Sequence, residues 1–465
     1  MTVLDVIALI SIAYFAALNA IYLVFTVIAW RRVASYARAR SHAALEEAFA
    51  SPLTPPISVI LPAFNEEAGI VESVRSLLGV RYPELEIVVV NDGSTDGTLE
   101  RLRQAFDLVP VRKALRDSLP TAAIHGVEMA RRTPQLVVVD KANGGKADAL
   151  NAGINAARYP YFCAIDADAV LEEEALLRVA QPILDDPDLV VASGGIIRIA
   201  NGCTVDHGRV VDVRLPKSPL ATLQVIEYFR GFLIGRVAWS RLNALLIISG
   251  AFGVFHRATV EAAGGYWTST VGEDVELVLR LHRYLRERDE PYRIVFVPDP
   301  VCWSEVPEDL RTLSRQRRRW QRGLGETLWR HRRLIGRPRF GVIGLVALPY
   351  VLVFEFFGAL IEVLGVPLTL VWWAMGELSL AFGIAFLILA FLFGMLLSLG
   401  ALALEEFSFR RQPRARDVGR LLAFLFVESV GYRQLNELWR TLALVDLTRR
   451  KRGWGAQRRR GFARA

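Results

Sequence analysis

A long apolar segment most constrains what this chain can fold into. From Gly341 to Leu404 the sequence is apolar apart from a few prolines and glutamates, which is too long for one membrane crossing. A spanning helix needs about 20 apolar residues, so two spans fit this segment easily and three fit less well. The segment predicts a membrane protein, and the 465 residues leave room for one large soluble domain as well.

A second apolar stretch lies near the N-terminus. Val6 to Trp30 is nearly uncharged and long enough to cross a bilayer, and four arginines follow it at 31, 32, 38 and 40. A basic flank marks the cytoplasmic side, so the next domain is expected in the cytoplasm. The stretch lacks the basic start and small-residue cleavage site of a signal peptide. We predict a retained anchor over 1–32 and a linker over 33–56.

The formal net charge of +8 comes from the C-terminal residues of the chain. Residues 449–465 hold seven Arg and one Lys with no acid, which equals the whole excess. Such a tail could bind nucleic acid, but beside apolar segments it favours an anionic cytoplasmic leaflet, so no nucleic-acid partner is expected. Cys163, Cys203 and Cys302 are isolated and the histidines are scattered, which predicts neither disulfides nor a zinc site.

Between the anchor and the long apolar segment, the pattern predicts an α/β domain over 57–335. Four short apolar runs alternate with helix-like segments, as in a mostly parallel sheet. The runs are Ile57 to Pro62, Ile87 to Val90, Leu136 to Val139 and Tyr161 to Ile165. Each ends in a polar cluster, and ligands gather at the carboxyl ends of parallel strands. The candidate motifs therefore fall on one edge of the sheet.

The C-terminal region raises two questions. Glu355 and Glu362 share a helix face within the predicted membrane helices of 341–404. Either they line a polar path, or they pair with basic residues near the interface. Leu421 to Leu447, within a region 405–448, carries several charges and predicts an amphipathic or membrane-embedded helix. If the tail 449–465 is cytoplasmic, the number of C-terminal crossings is even.

The first two runs lead into turn-forming sequences. Pro62, Ala63, Asn65 and Glu67 follow one, and Asp92 lies in the NDGSTDG stretch that ends the other. Small residues let the backbone approach a nucleotide, and the carboxylate can accept hydrogen bonds from a base or ribose. Taken alone, such a stretch is as often an ordinary turn.

The next two runs lead into charged residues. Lys146 follows a Gly-Gly turn at a helix start, where it can meet a phosphate, although a lone lysine more often lies on a solvated face. Asp166 and Asp168 follow the fourth run, and alternation along an extended chain would point both carboxylates toward one Mg²⁺ or Mn²⁺. That metal would stabilise a departing diphosphate.

Two later segments complete the set. Glu273 and Asp274 open a predicted helix; these acids could merely complement the helix dipole, but Asp274 facing a sugar would be a general base. A single base together with a metal-assisted leaving group implies inversion of configuration at the anomeric carbon of the sugar. Gln316, Arg319 and Trp320 precede the long apolar segment, where Trp320 can stack on a sugar and Arg319 can reach a diphosphate. A basic amphipathic helix on the membrane surface would look similar.

In order, PAFNEE, VVVNDGSTDGT, the Lys146 turn, DAD, GED and Gln316-x-x-Arg319-Trp320 resemble the membrane-integrated family 2 glycosyltransferases. These include cellulose, hyaluronan, chitin and poly-N-acetylglucosamine synthases. The resemblance runs from Ile57 to Gly323 and implies a GT-A-type nucleotide-sugar-binding domain with N- and C-terminal transmembrane helices. The third acidic motif reads Gly-Glu-Asp, which matches no single subgroup cleanly.

The resemblance implies a role for each matching residue. Asp92 would contact uridine, Lys146 and Asp166 the nucleotide sugar, Asp168 the metal, and Asp274 would be the base. Gln316, Arg319 and Trp320 would hold the acceptor sugar and diphosphate, and the stretch from Ser249 and Gly250 to Gly253 would line the acceptor site. Gly231 to Leu246 resembles the family's interfacial helix, so interfacial helices are expected near 222–246 and near 310–333. Trp454 resembles part of a gating motif, although a lipid-contacting tail is the alternative.

These observations predict an inverting, metal-dependent hexosyltransferase in the inner cell membrane. It would polymerise UDP-N-acetylglucosamine or UDP-glucose into a β-linked polysaccharide and move it across the membrane. Transfer of one sugar to a membrane lipid is the alternative, and a catalytically silent scaffold subunit is a third. The expected partners are the donor, a glycan or lipid acceptor, membrane lipid and a small membrane subunit. The sequence gives no role for Leu108 to Thr133.

Overall fold

The computed structural model describes residues 3–39, 42–206, 208–409 and 414–448. They divide into two compact units. The described residues of the sheet unit lie within Ala39–Arg214 and Asn243–Glu305, and those of the helical unit within Met1–Arg38, Leu215–Leu242 and Val306–Gln457. The predicted basic tail and Trp454 lie outside the described residues.

The sheet unit contains all the strands of the described part of the chain. In chain order they are β1 (Ile57–Ala63), β2 (Leu85–Asp92), β3 (Leu108–Pro110), β4 (Ile124–Ala130), β5 (Leu136–Lys141), β6 (Tyr161–Ala164), β7 (Ala169–Leu171), β8 (Val190–Ile199), β9 (Thr204–Asp206), β10 (Arg209–Asp212), β11 (Gly253–His256) and β12 (Arg293–Ser304). Ten form one sheet in the order β3-β4-β5-β2-β1-β6-β11-β8-β12-β7, and β9 and β10 form a separate hairpin.

The centre of the large sheet consists of the four apolar runs recognised in the sequence. β5, β2, β1 and β6 are neighbours and pair in parallel. Ile87, Val88, Val89 and Val90 of β2 are completely buried, as expected of a strand covered on both faces. Antiparallel pairs extend the sheet on either side, through β4 and β3 at one edge and β11 beyond β6. The predicted parallel core is confirmed within a mixed sheet.

Helices occupy both units. In chain order the α-helices are α1 (Val3–Ala39), α2 (His42–Ala50), α3 (Ile70–Leu78), α4 (Thr98–Phe106), α5 (Lys146–Ala156), α6 (Ala175–Asp185), α7 (Pro219–Phe229), α8 (Val237–Arg241), α9 (Arg257–Ala262), α10 (Glu273–Glu287), α11 (Leu310–Arg330), α12 (Leu348–Tyr350), α13 (Gly358–Ala374), α14 (Leu380–Leu387), α15 (Phe393–Ser408), α16 (Ala415–Val427) and α17 (Arg433–Thr448). π-helical segments at Arg230–Arg236, Ile343–Ala347, Val351–Phe356, Ile388–Leu392 and Glu428–Tyr432 join several of them.

Among the described residues, two helices are long and apolar enough to cross a membrane. They are Val3–Ala39 and Leu380–Ser408, and a third span results if Ile343–Phe356 and Gly358–Ala374 together form one crossing. That pair bends by 44°, where a π-helical segment meets Gly358. The predicted apolar helices at both ends are confirmed by length and composition.

Three boundaries differ from the sequence prediction. The expected linker 33–56 is largely helical, because α1 continues to Ala39 and α2 follows. The expected helix over Leu421–Leu447 is broken at Val430 and Gly431, whose backbone angles are not helical, and Gly431 has φ 123°. Residues 215–242 and 306–335 were predicted as the part of the sugar-binding domain that carries its interfacial helices. They pack within the helical unit, where Leu223, Leu313 and Trp439 share a buried cluster.

Candidate active site

The turn between β5 and α5 is held by Asp92, at the end of β2. Oδ1 accepts hydrogen bonds from Lys141 Nζ at 2.5 Å and Gly144 N at 2.9 Å, and Oδ2 accepts from Gly145 N at 2.8 Å and Asn143 Nδ2 at 3.3 Å. A carboxylate has about four acceptor sites, so these donors use its full capacity. The observed role of Asp92 is therefore to shape the turn, and its contact with uridine stays a prediction.

Lys141 is a second support of this turn, and the sequence analysis assigned it no role. Its side chain is completely buried, and Nζ lies 2.5 Å from Asp92 Oδ1 and 2.6 Å from Asp148 Oδ1. A buried ammonium between two carboxylates is favourable only with such close pairing, because each charge has lost its water. The only sign of this role in the sequence is that Lys141 is a charged residue at the end of an apolar strand.

Leu108 to Thr133, whose role the sequence did not reveal, packs against α5. β3 and β4 form the sheet edge, and the connection between them docks through two side chains of the helix. Asp148 Oδ2 accepts a hydrogen bond from Ala122 N at 3.0 Å. Asn155 Nδ2 donates to Leu119 O at 2.8 Å, and Asn155 Oδ1 accepts from Leu119 N at 3.1 Å. Helix α5 thus carries Lys146 at its start and this segment along its side.

Lys146 lies at the centre of the predicted site residues. Nζ is 2.6 Å from Asp166 Oδ1 and 3.2 Å from Glu273 Oε1. Burial alone would lower the pKa of Lys146, but Asp166 and Glu273 raise it above its ordinary value. The structure therefore brings two of the predicted acids, Asp166 and Glu273, together around the Lys146 cation, which stays protonated.

The two acids of the GED motif differ in their surroundings. Glu273 is buried, which raises its pKa above the ordinary 4.5, while the charge of Lys146 opposes that effect. Asp274 is partly exposed, and its Oδ2 accepts from Gly250 N at 3.2 Å. Asp274 is thus held beside solvent, as a base that receives a substrate proton must be.

Gly250 lies between the cation and the candidate base. A Cβ atom at this position would lie 3.0 Å from Lys146 Nζ and 3.5 Å from Asp274 Cβ. Ser249 precedes it in a turn closed by a hydrogen bond from Phe252 N to Ser249 O at 3.0 Å. The predicted acceptor stretch therefore adjoins both Lys146 and Asp274.

Asp166 and Asp168 do not lie on an extended strand, so the predicted alternation is wrong. β6 ends at Ala164, and Ala169 N donates to Asp166 O at 3.1 Å across a turn. The turn is needed because the chain leaves the sheet centre here and continues into β7, at the sheet edge. Asp166 pairs with Lys146, whereas the role of Asp168 as metal ligand stays a prediction.

The carboxylates at this turn could hold a metal ion only with further ligands from a substrate. Among the described residues, no three His, Cys, Asp or Glu side chains are grouped so as to hold an ion by themselves. Mg²⁺ and Mn²⁺ are commonly bound by one or two carboxylates with substrate phosphates completing the shell. Asp166 and Asp168 therefore fit an ion shared with a diphosphate, and do not form a closed metal site.

The loops after β1 and β2 bind each other at the same edge. Asn65 has φ 57°, and its Oδ1 accepts from Thr95 N at 2.8 Å. Glu67 Oε2 accepts from Gly97 N at 3.2 Å. Pro62 and Ala63 end β1 beneath these loops. The sequence identified the loops as candidates, and the structure shows how they are fixed; their contact with a nucleotide stays a prediction.

Gln316, Arg319 and Trp320 belong to the helical unit, on α11. Trp320 is 43% exposed, and the guanidinium carbon of the buried Arg317 lies 4.5 Å from its ring centroid. Gln316 Oε1 is buried with no hydrogen-bond partner among the described residues. Arg317 itself binds Glu227 at 2.6 and 2.7 Å, which fixes the helix. An exposed indole can stack on a sugar ring, and the acceptor role of these residues stays a prediction.

The two glutamates of the membrane region are paired with arginines of α17. Arg433 binds Glu362 through Nε at 3.1 Å and Nη2 at 2.8 Å, and Arg440 Nη2 lies 3.3 Å from Glu355 Oε2. The alternative in which both acids pair with basic residues is thus observed. Each pair joins α17 to the helical segments before residue 375, so each of these acids in an apolar region has an arginine as its partner.

Comparison with known families decides the class of protein. The profile for glycosyl transferase family 2 matches residues 58–209, and that for glycosyl transferase family group 2 matches residues 161–402. The second match covers more than half of the chain. The chain belongs to the family 2 glycosyltransferases. The predictions of family and enzyme class are confirmed.

Curated relatives and solved structures add detail. A poly-beta-1,6-N-acetyl-D-glucosamine synthase of Staphylococcus epidermidis is 30% identical over 277 residues, which are 59% of this chain and 56% of the relative. The protein of that description from Staphylococcus aureus gives the same identity and coverage. This glycosyltransferase therefore spans little more than half the length of the curated relatives it matches.

A mannosyltransferase from Pyrobaculum calidifontis, solved in complex with GDP-Man and Mn²⁺, has a similar fold. The TM-score is 0.52 at 21% identity, with 95% of this chain and 100% of that chain covered. At that identity the likeness concerns the fold alone. The predicted GT-A-type α/β fold is confirmed.

Proposed function

We propose that this family 2 glycosyltransferase extends a β-linked polysaccharide from a UDP-sugar at the cytoplasmic face of the inner membrane and moves the product across it. UDP-N-acetylglucosamine is favoured over UDP-glucose, because the curated relatives are poly-beta-1,6-N-acetyl-D-glucosamine synthases. The observation that carries the proposal is the cluster of Lys146, Asp166 and Glu273 beside Asp274.

The chemistry follows from that cluster. The Lys146 ammonium would contact the donor diphosphate, and Asp166 and Glu273 keep it charged and in place. Asp274 would accept the proton of an acceptor hydroxyl that attacks the anomeric carbon. Attack from the side opposite the leaving UDP inverts the configuration at that carbon, and no second carboxylate is needed because the diphosphate is already a good leaving group.

Two further roles belong to this proposal. Asp166 and Asp168 would hold Mg²⁺ or Mn²⁺ together with the donor, and the ion would neutralise charge on the departing diphosphate. Gln316, Arg319 and Trp320 of the helical unit would hold the acceptor sugar and diphosphate, as the family resemblance implies. Ser249 and Gly250 would line the acceptor position.

A second candidate is the transfer of a single sugar to a membrane lipid. The same site residues would serve it, and the apolar helices would hold the lipid acceptor. The silent scaffold has less support, since Asp168, Glu273 and Asp274 are all present. A small membrane subunit, which some members of the resembled family need, is a further partner in the polysaccharide proposal.

The test is incubation of the purified, detergent-solubilised protein with UDP-N-acetylglucosamine, UDP-glucose and other UDP-sugars, with Mg²⁺ or Mn²⁺. UDP release and product size are measured, and EDTA is added in a parallel series. A polymer from one donor supports the synthase and identifies its sugar. One sugar on lipid supports the second candidate, and turnover unaffected by EDTA contradicts the metal proposal.

The base assignment has its own test in Asp274→Asn. We expect UDP release to fall by about 10²–10⁴-fold while donor binding is retained, because the amide cannot accept the proton. Asp289→Asn is the matched control: the residue is exposed, and its φ of 55° suits asparagine. Turnover of the Asp274 variant at the rate of that control would contradict the assignment.

A further inference from the structure

The segment from Trp329 to Phe340 of the helical unit is strongly basic, and we call it the arginine turn. It contains no aspartate or glutamate. Its arginines are Arg330, Arg332, Arg333, Arg337 and Arg339, and all five are exposed. Exposed charges of one sign that lie together attract anions to that surface. The position of the cluster in the fold indicates which anions those are.

The arginine turn is fixed to the start of the bent candidate span. Gly336 N donates to Gly344 O at 2.8 Å, and Leu334 and Phe340 are buried beneath the turn. A Cβ atom on Gly344 would lie 2.5 Å from Arg337 O, so the two backbones approach as closely as only glycine permits. The arginines are therefore held in place at the first turn of an apolar helix.

The polarity of the surface changes within a few residues of this turn. Leu345 and Val346, at the start of the span, are 49% and 50% exposed. On the other side of the turn, Trp329 is 71% exposed, with the guanidinium carbon of Arg332 4.6 Å from its ring centroid. Tryptophan is enriched at the level of lipid headgroups, and exposed apolar residues belong with acyl chains. The arginine turn thus has the polarity of a membrane interface.

We propose that the arginine turn binds the headgroups of anionic phospholipids. One guanidinium group can donate two hydrogen bonds to the oxygens of one phosphate. An anionic leaflet concentrates such phosphates beside a membrane span. The exposed Leu345 and Val346 favour a lipid over a soluble phosphate compound, because only a lipid also supplies acyl chains to cover them. This binding is independent of which sugar the enzyme transfers.

The test compares two double variants of the full-length protein in nanodiscs of phosphatidylcholine with increasing phosphatidylglycerol. Bound phosphatidylglycerol is counted by native mass spectrometry. One basic residue near an anionic surface contributes about fivefold in affinity, so Arg333→Gln with Arg337→Gln is expected to weaken binding about 25-fold. Arg132→Gln with Arg288→Gln removes the same charge from exposed sites of the sheet unit and is expected to bind as the wild type does.

A third variant separates charge from guanidinium geometry. Arg333→Lys with Arg337→Lys keeps the charge but loses paired contacts, so we expect only a few-fold weakening. Melting temperatures of all variants are measured to show that they are folded. The proposal is overturned if the glutamine variant binds phosphatidylglycerol as tightly as its control, or if the wild type binds phosphatidylcholine or inorganic phosphate equally well.

Discussion

Asn151 of α5 fixes the segment that leads to the candidate base. Its Nδ2 donates to Tyr266 O at 2.9 Å, and its Oδ1 accepts from Tyr266 N at 2.7 Å. The chain continues from Tyr266 into α10, which begins with Glu273 and Asp274. Because α5 also carries Lys146, this one carboxamide links the cation to the base. We expect Asn151→Ala to slow catalysis without weakening donor binding.

The size of the effect follows from the two hydrogen bonds. Alanine leaves the N–H and C=O of the buried Tyr266 unpaired, and each such group costs about 1–3 kcal/mol. Taking the low end, the free energy of unfolding falls by about 2–3 kcal/mol, which lowers Tm by roughly 4–12 °C. A shift of Asp274 by a fraction of an ångström then lowers kcat by about tenfold, while KM for the donor stays within about twofold.

Asn155 supplies a matched control on the same helix. Its carboxamide is similarly buried and binds the Leu119 backbone in the same two-sided way, but Leu119 does not lead to the base. Thermal melting and UDP release are measured for Asn151→Ala and Asn155→Ala in detergent. Both should melt at similar temperatures, and only Asn151→Ala should lose kcat. Equal kcat in the two variants would refute the reasoning.

Three further predictions concern the same site. Lys141→Met should lower the free energy of unfolding by about 3–5 kcal/mol, since it leaves the buried Asp92 and Asp148 unpaired, and melting at the wild-type temperature would contradict this. Lys146→Met should weaken donor binding, and unchanged donor binding would contradict its contact with the diphosphate. Gly250→Ala should fold normally but lose roughly tenfold in kcat/KM, because the added Cβ displaces the side chain of Lys146 or Asp274. Unchanged kinetics would contradict this and show that these side chains can move without loss of activity. Burial raises the pKa of Glu273, so its stabilising contribution is present at low pH and lost as pH rises through the raised pKa. The Tm of the wild type minus that of Glu273→Gln should therefore fall as the pH rises above the ordinary glutamate pKa of 4.5, and a rise would contradict the assigned direction.

The sequence predicted the central sheet because its four parallel strands are local, apolar runs. β2, for example, consists largely of buried β-branched residues, which need no distant information to be recognised. The clustering of Lys146, Asp166 and Asp274 could also be foreseen, since each was placed at a strand end or helix start. Chain-local patterns were sufficient for these features.

Other features depend on pairs that no local pattern reveals. Lys141 and Asp92 are 49 positions apart, and Asn151 and Tyr266 are 115 apart. The turn at Asp166 was missed because β7 joins the sheet at its far edge, which is a property of topology. Similarly, the spacing of Glu355 and Glu362 in the sequence predicted a shared helix face. It did not predict that the arginines paired with them belong to α17.

The packing of α1 has a consequence for biosynthesis. Tyr14 donates to Glu362 Oε1 at 3.1 Å across 348 positions, and Asn19 donates to Leu389 O at 2.7 Å across 370 positions. A ribosome adds roughly 5–20 residues per second, so α1 waits about 20–70 s for these partners. Over that interval its polar side chains must be satisfied by the translocation machinery or by lipid headgroups. α1 is therefore made well before the residues that it finally contacts, and any factor that shelters it in that interval would raise the yield of the assembled enzyme.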